Sequence, residues 1–553
     1  MGQGPSSPSG DEPTQPKRCD KRLRHRSISS LAKSCHFTRQ TWLPLDELEK
    51  VVTVENVNAS ATLGPSLCRN DNAYRVVRDA PCAFAILLWC GCQNIIEALL
   101  QEGFKDTDLP LTRTEVDARF LSSKDGKIFW AFKEIKDEEA RDRAIDDFLD
   151  RQWSVLAPVF EEESNADEST IVHQVHAKSP LPLSNKKHIT RTAMSRVSSC
   201  DLHPYHYRHQ GERVHDHPIQ VAVKELGEDE KTFEKETQNL LRIRQFNNPH
   251  LIRHIAACKV DTSPSPTYYV IFPLASGGDL HAYWQSRGDQ HRTPDLVRWS
   301  LEQMLGLATA VRDLHTTFED GSNCRHGDLK PLNILVFEED GTCRLVIADL
   351  GIAKVHSDPT AVRTQKATET LATTRAYEAP EAHKKCRGHN LPRPRAYDVW
   401  SLGCILLEFT IWLLFDMRAV ESFASRRPDT WTESRPGGFY ALEEDGSPVV
   451  SEVVDTAIAT LLKDERCGES TVLGRLVQLI ARKMLAAESK DRVDAVELVE
   501  ELENIVRDAA QSGDEFLWKA ESTPEMEDKL ASTVVPEVFR PLSKGSGTWS
   551  VTQ

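Results

Sequence analysis

"CRHGDLKPLNILV", Cys324–Val336, is the stretch on which the fold of this 553-residue chain turns. It sets His326, Asp328, Lys330 and Asn333 ahead of a short apolar run, and it does not stand alone. Upstream, "IQVAVKEL" (Ile219–Leu226) is a β-branched run suited to a buried strand, and it carries Lys224. In "EKTFEKETQNLLRI", which follows, Phe233, Glu236, Leu240 and Ile243 share one helix face, whereas Glu234 points away from it. Helical phase therefore selects Glu236 as the inward acid. "TYYVIFPLASGGDLHAYW" reads as a strand, a Gly-Gly turn and a helix; "LVRWSLEQMLGLATAVRDLH" is a long amphipathic helix leading into the opening stretch. Downstream come "VIADLGIAK" with Asp349, "TTRAYEAPE" (Thr373–Glu381), "YDVWSLG" with Asp398 near a helix start, and "SKDRVDAVELVEEL" with Arg492.

Any one of these stretches is a weak signal. In this order and spacing, across residues 180–509, they resemble a eukaryotic-type serine/threonine protein kinase. The resemblance implies an α+β, two-lobed fold with a small mostly β N-lobe and a large mostly α C-lobe, and ATP and Mg²⁺ as cofactors. It implies that Lys224 holds the α- and β-phosphates, paired with Glu236, and that Val197 and Ala222 contact the nucleotide. Pro273, Leu274 and Ala275 become the hinge that meets adenine, with Phe272 at the back of the pocket. Asp328 accepts or orients the substrate hydroxyl, Lys330 neutralises charge on the transferring group, and Asn333 and Asp349 are the metal ligands. His326 reads as a packing residue. Leu350 fills the slot where Phe is commoner, and Glu381 is expected to pair with Arg492. The Asp-Leu-Lys-Pro wording at Asp328–Pro331, with Thr374 in Thr-x-x-Tyr-x-Ala-Pro-Glu, is similar to Ser/Thr rather than Tyr kinases. "FLDRQWSVLAPVF" and "DLHPYHYRHQ" resemble the flanks of kinase-domain proteins that filamentous fungi carry in many copies.

Two departures bear on activity. Gly327 stands where the resemblance puts an arginine that grips a phosphate on the activation segment, so Thr364, Thr368 and Thr370 are not expected to control the enzyme. Aligning "KKHITRTAMSRVSS" on the glycine-rich loop puts Thr190, Thr192 and Ser195 at the glycine positions. Threonine is β-branched and stiff, which predicts a lid further from the phosphates and nucleotide binding weakened by roughly 1–3 kcal/mol. The expected function is a serine/threonine protein kinase acting on protein substrates. The alternative is a pseudokinase that binds a partner; the joint survival of Lys224, Glu236, Asp328, Asn333 and Asp349 speaks for the enzyme. "EAPE" and "YDVWSLG" argue against a small-molecule phosphotransferase, because the resemblance makes them a peptide-substrate platform.

The bounds agree. A net charge of −16 argues against a nucleic-acid-binding body. The 13 cysteines show no paired spacing, so reduced thiols and a cytoplasmic location, with a nuclear one as the alternative, are the expectation. Cys90 and Cys92 close an apolar run, "AFAILLWCGC", that reads as a core helix rather than a metal site. The longest other apolar run, "CILLEFTIWLLF", is short and broken by Glu408. Composition divides the chain into a disordered basic tail (1–34), a helical region (35–163), a linker (164–179), the motif-bearing segment that resembles a kinase domain (180–509) and a mostly irregular tail (510–553). In the helical region Ile145, Phe148, Leu149, Trp153 and Leu156 mark one buried face ending near Pro158. The insertion 416–470 contains a loop, "RRPDTWTESRPGG". "MGQGPS" fits the pattern for myristoylation of Gly2. With the basic cluster Lys17, Arg18, Lys21, Arg22, Arg24 and Arg26 around Cys19, peripheral membrane contact stands beside a plain disordered basic tail.

Overall fold

The computed structural model describes residues 25–60, 69–162, 172–191, 195–227, 230–288, 293–316, 323–339, 341–349, 354–356, 375–383, 394–427, 438–468, 470–511 and 536–540. Gly2 and the basic cluster through Arg24, Thr192, Leu350, Thr364, Thr368, Thr370 and Thr374 lie outside them.

The N-terminal region is mainly helical, with short antiparallel strand pairings at 33–34 with 41–42 and among 112–113, 121–122 and 128–129, and has its own core. Its helices are α1 (His25–Leu31), α2 (Leu45–Val51), α3 (Val54–Ser60), α4 (Arg69–Asp79), α5 (Pro81–Cys90), α6 (Ile95–Gln101) and α7 (Glu138–Arg151). The run expected to be a core helix is α5: Ala83 through Trp89 are all buried, and Gly91 ends it at φ 75°. Its first turn is satisfied by Asp106, which accepts from the Cys82 and Ala83 N–H groups at 2.6 and 3.0 Å. Two expectations need correction here. The tail does not stay irregular to residue 34, because Ile28 is apolar, fully buried in this core, and carries α1 with it. The α7 face holds at Ile145 and Phe148, but α7 stops at Arg151 and tightens into a 3-10 turn over Gln152–Val155. That change of pitch swings Trp153 out to stack on His176 at 3.8 Å, with the rings 10° from parallel.

The strands that follow are β1 (Phe160–Glu162), β2 (Val172–His176), β3 (Leu183–Arg191), β4 (Ser195–Leu202), β5 (Tyr207–His209), β6 (Ile219–Leu226), β7 (Ala256–Asp261) and β8 (Thr267–Pro273). Six of them form one sheet in the order β2-β7-β8-β6-β4-β3, antiparallel throughout except for the parallel β2–β7 pair. The expected linker is therefore corrected over its second half: residues 172–176 are an edge strand. Period-2 alternation splits β6 between two faces. Val221 and Val223 join Trp42, Ala157 and Phe160 in a core on the outer face, so the N-terminal region seals that side of the sheet. The parallel β1–β5 pair reinforces the attachment. Trp42 meets His203 and His206 edge-on, at centroid distances of 5.3 and 4.8 Å.

On the inner face α8 (Glu230–Arg244) packs Phe233, Leu240 and Ile243 into a core continuous with the C-lobe. The C-lobe helices are α9 (Leu280–Ser286), α10 (Pro294–His315), α11 (Ala396–Leu414), α12 (Met417–Arg426), α13 (Glu452–Lys463), α14 (Val472–Leu479) and α15 (Ala495–Gln511). By length and composition α11 could cross a membrane, yet every residue from Tyr397 to Leu414 is buried inside the C-lobe. The stretch His326–Asn333 lies between two small antiparallel pairs. One joins β9 (Asn323–Arg325) to β12 (Lys354–His356), the other β10 (Ile334–Glu339) to β11 (Thr342–Ile347). In the insertion 416–470 the described residues hold α12, α13 and the buried pair Phe439 and Tyr440, while residues 428–437 of the expected loop lie outside them. The C-terminal tail is not all irregular either: Phe539 is fully buried, 5.0 Å from Phe415 between ring centroids.

Candidate active site

Lys224 projects from the inner face of β6, where neighbouring strands cannot neutralise it. Its Nζ lies 2.8 Å from Glu236 Oε1 and 2.9 Å from Asp349 Oδ1. Glu236 is only 3% exposed and sits on the face of α8 that helical phase selected. Burial alone would lower the lysine's pKa, but the two carboxylates outweigh it and raise it well above the usual value. Asp349 is held below the ordinary carboxylate range: burial opposes this, and the charge and hydrogen bond of Lys224 prevail. Its backbone adopts φ 61°, a left-handed conformation that costs a non-glycine residue about 1 kcal/mol or more.

The loop from His326 to Asn333 is tied down from both ends. Asp398, at the start of α11 and 0% exposed, accepts the His326 and Gly327 N–H groups at 2.9 Å each and meets His315 Nε2 at 2.9 Å. The Asp328 N–H donates to His326 Nδ1 at 3.2 Å, which leaves Nε2 to donate to the Ala348 carbonyl at 2.9 Å. His326 is thus a packing residue that also links the loop to the strand leading into Asp349. Lys330 Nζ is 2.9 Å from Asp328 Oδ2. The Asn333 Nδ2 donates to the Asp328 carbonyl at 2.8 Å and to Oδ2 at 3.2 Å, leaving its own Oδ1 as an oxygen donor. Gly327 has φ 80°, where a side chain would be strained.

The remaining site residues lie on the strands and the segment that flank Lys224. Pairing across β4 and β6 sets Val197 opposite Lys224 and Ser199 opposite Ala222, so all four side chains share the inner face. Thr190 pairs with Val197 in the β3–β4 hairpin and Ser195 begins β4, so the lid is a strand ribbon up to Arg191. At the hinge Phe272 pairs with Ala222 and Pro273 with Val221; the Leu274 N–H is taken by the Gln220 carbonyl at 3.1 Å, and Ala275 packs against the main core. Gly277 then passes so close to β10 that a Cβ would meet Val336 Cγ1 at 2.8 Å. Below the cleft Arg492 grips both oxygens of Glu381 at 2.8 Å, as expected.

Asp398, His315 and Arg325 are residues of the site whose weight the motifs do not mark. The visible signal is polarity in apolar surroundings: Asp398 is one of two charged residues in a mostly apolar helix, and Arg325 interrupts a buried stretch.

The protein kinase domain family model matches residues 213–501, beginning just after the β3–β4 hairpin. Over 200 residues the chain is 30% identical to mitogen-activated protein kinase SLT2/MPK1 of Saccharomyces cerevisiae, covering 34% of this chain and 36% of that protein. It is 27% identical over 183 residues to serine/threonine-protein kinase Nek2 of Homo sapiens, covering 33% and 37%. Over 164 residues it is 34% identical to calcium/calmodulin-dependent protein kinase cmkA of Emericella nidulans, covering 30% and 34%. The matches thus span little more than a third of each of these relatives.

Proposed function

Because the chain belongs to the protein kinase family, we propose that it transfers the γ-phosphate of ATP to Ser or Thr hydroxyls of protein substrates. The observation that carries this reading is the joint geometry of Lys224, Glu236 and Asp349 on one side of the cleft and Asp328, Lys330 and Asn333 on the other. Asp349 and Asn333 Oδ1 are a small set of hard oxygen donors, which suits Mg²⁺ bound jointly with phosphates. That ion would supply charge neutralisation across the β- and γ-phosphates. The chain's own residues do the rest. Lys224, fixed by Glu236, is placed to hold the α- and β-phosphates. Asp328 takes the acceptor hydroxyl's proton as the new O–P bond forms and ADP leaves with the bridging oxygen. Lys330, already at Asp328, offsets charge on the group in transit. The Arg492–Glu381 clamp supports the surface on which a protein substrate would lie.

The β3–β4 ribbon favours a second reading, a pseudokinase acting through its surface, because Thr190 and Ser195 stand where the lid should be glycine. One comparison separates the two. Full-length wild type and Asp349→Asn are assayed side by side at millimolar ATP with Mg²⁺, with thermal shift run in parallel. Transfer by wild type alone supports the kinase; equal background signals with no nucleotide-induced shift would leave the pseudokinase.

A further inference from the structure

Gly327 removes one guanidinium from the catalytic loop, and the structure holds another in the space beside it. Arg325 is 4% exposed, and a Cβ built on Gly327 would stand 3.4 Å from its Nε and 3.5 Å from its Nη2. The same guanidinium lies 5.3 Å from the centre of the Tyr397 ring, next to Asp398 in sequence. Asp398 is the carboxylate that holds the His326 and Gly327 N–H groups. Arg325 also ends β9, whose ladder to β12 pairs it with Lys354 at the start of the activation segment.

We propose that Arg325 is a positioning residue for Asp328: its internal guanidinium, which lies where a Cβ on Gly327 would touch it, replaces the arginine missing at 327. Three features support this. Burial favours the neutral form of Asp398; His315 opposes it most, and the charge of Arg325 adds to that opposition. The cation comes from the loop's own strand, so its hold does not wait for a phosphate. The left-handed φ of Gly327 lets the chain turn around the guanidinium without strain. The two positions are therefore complementary, and neither should tolerate change alone.

The test is a two-residue cycle in the full-length protein. Arg325→Met should lower kcat at least tenfold with KM for ATP within threefold, and Arg325→Lys should recover most of the loss. Gly327→Arg, which puts a second guanidinium beside the first, should also lose at least tenfold. The double variant Arg325→Val/Gly327→Arg should regain at least fivefold over Gly327→Arg and become sensitive to phosphatase treatment, whereas wild type stays within threefold. Amide exchange over residues 326–333 is followed in every variant and should slow again in the double. If wild type transfers no phosphate, the kinase reading fails and the exchange arm still decides this one. An Arg325→Met protein with kcat within twofold of wild type, or a double variant no better than Gly327→Arg in either readout, overturns the proposal.

Discussion

Asp398 makes clear how much a single buried side chain can carry. It has no exposure, three hydrogen-bonding partners and a pKa below the ordinary carboxylate value, because its hydrogen bond with His315 and the nearby Arg325 outweigh burial. A carboxylate depressed in the folded state stabilises it above the unfolded value of 3.8 and loses that contribution as pH falls through the lower native value. Asp398→Asn should therefore flatten the acid end of the stability curve below about pH 4, followed by circular dichroism, and cost activity at neutral pH by freeing the loop. Lys224→Met tests the other side of the cleft: loss of one positioned cation should lower kcat/KM by about 100-fold or more, with little change in fold. At this scale much was legible. Glu236 could be assigned because a helix repeats every 3.6 residues and only one of its acids shares the apolar face. Asp398 and Arg325 could not, because their partners are brought together by packing that leaves no local spacing to read.

Elements behaved less uniformly. The hinge depends on Gly277, whose missing Cβ is the space that Val336 fills. Gly277→Ala should destabilise the protein by about 1–3 kcal/mol through overpacking, read as a lower Tm, and should weaken ATP binding because the hinge must move. In α11, Glu408 is 2% exposed, pairs with Arg427 at 2.7 Å and accepts from the Tyr377 hydroxyl at 2.7 Å. Arg427→Met leaves that carboxylate buried without its cation and should cost about 3–5 kcal/mol, whereas adding Glu408→Gln should return part of the loss. The loop-like wording around Arg427 hid this, since a run rich in Pro, Gly and Arg reads as surface until its partner helix is known. The half of the linker that became β2 was hidden for a similar reason: an edge strand draws its hydrogen bonds from a segment some 85 residues away, beyond the reach of local patterning. In the lid, Gly at Thr190, Thr192 and Ser195 should raise ATP affinity, measured by thermal shift, if the stiff ribbon is what holds the phosphates at a distance.

Across the whole molecule, the joint between the N-terminal region and the sheet is built partly from neutral histidines. His206 accepts the Leu45 N–H at 3.3 Å through Nε2, so its Nδ1 is the nitrogen that donates to the Pro158 carbonyl at 3.0 Å. Burial depresses His203 and His206 to about 4 each. A base whose pKa falls on folding is destabilised as pH drops from the unfolded value of 6.5 toward 4, because the unfolded chain binds the proton more readily. Tm should therefore fall between pH 7 and 5, and His203→Gln/His206→Gln should flatten that slope. The same joint covers Val221, Val223 and Ile271, so a fragment beginning at Pro180 would expose an apolar sheet face. For synthesis the consequence is one of timing. Trp42 and Phe160 leave the ribosome before the strands they cover; at roughly 5–20 residues per second Phe160 waits on the order of 5–20 s for Ile271, and Trp42 about twice as long. The nascent N-terminal region carries a sticky apolar strip through that interval, which makes it the segment a chaperone would meet first.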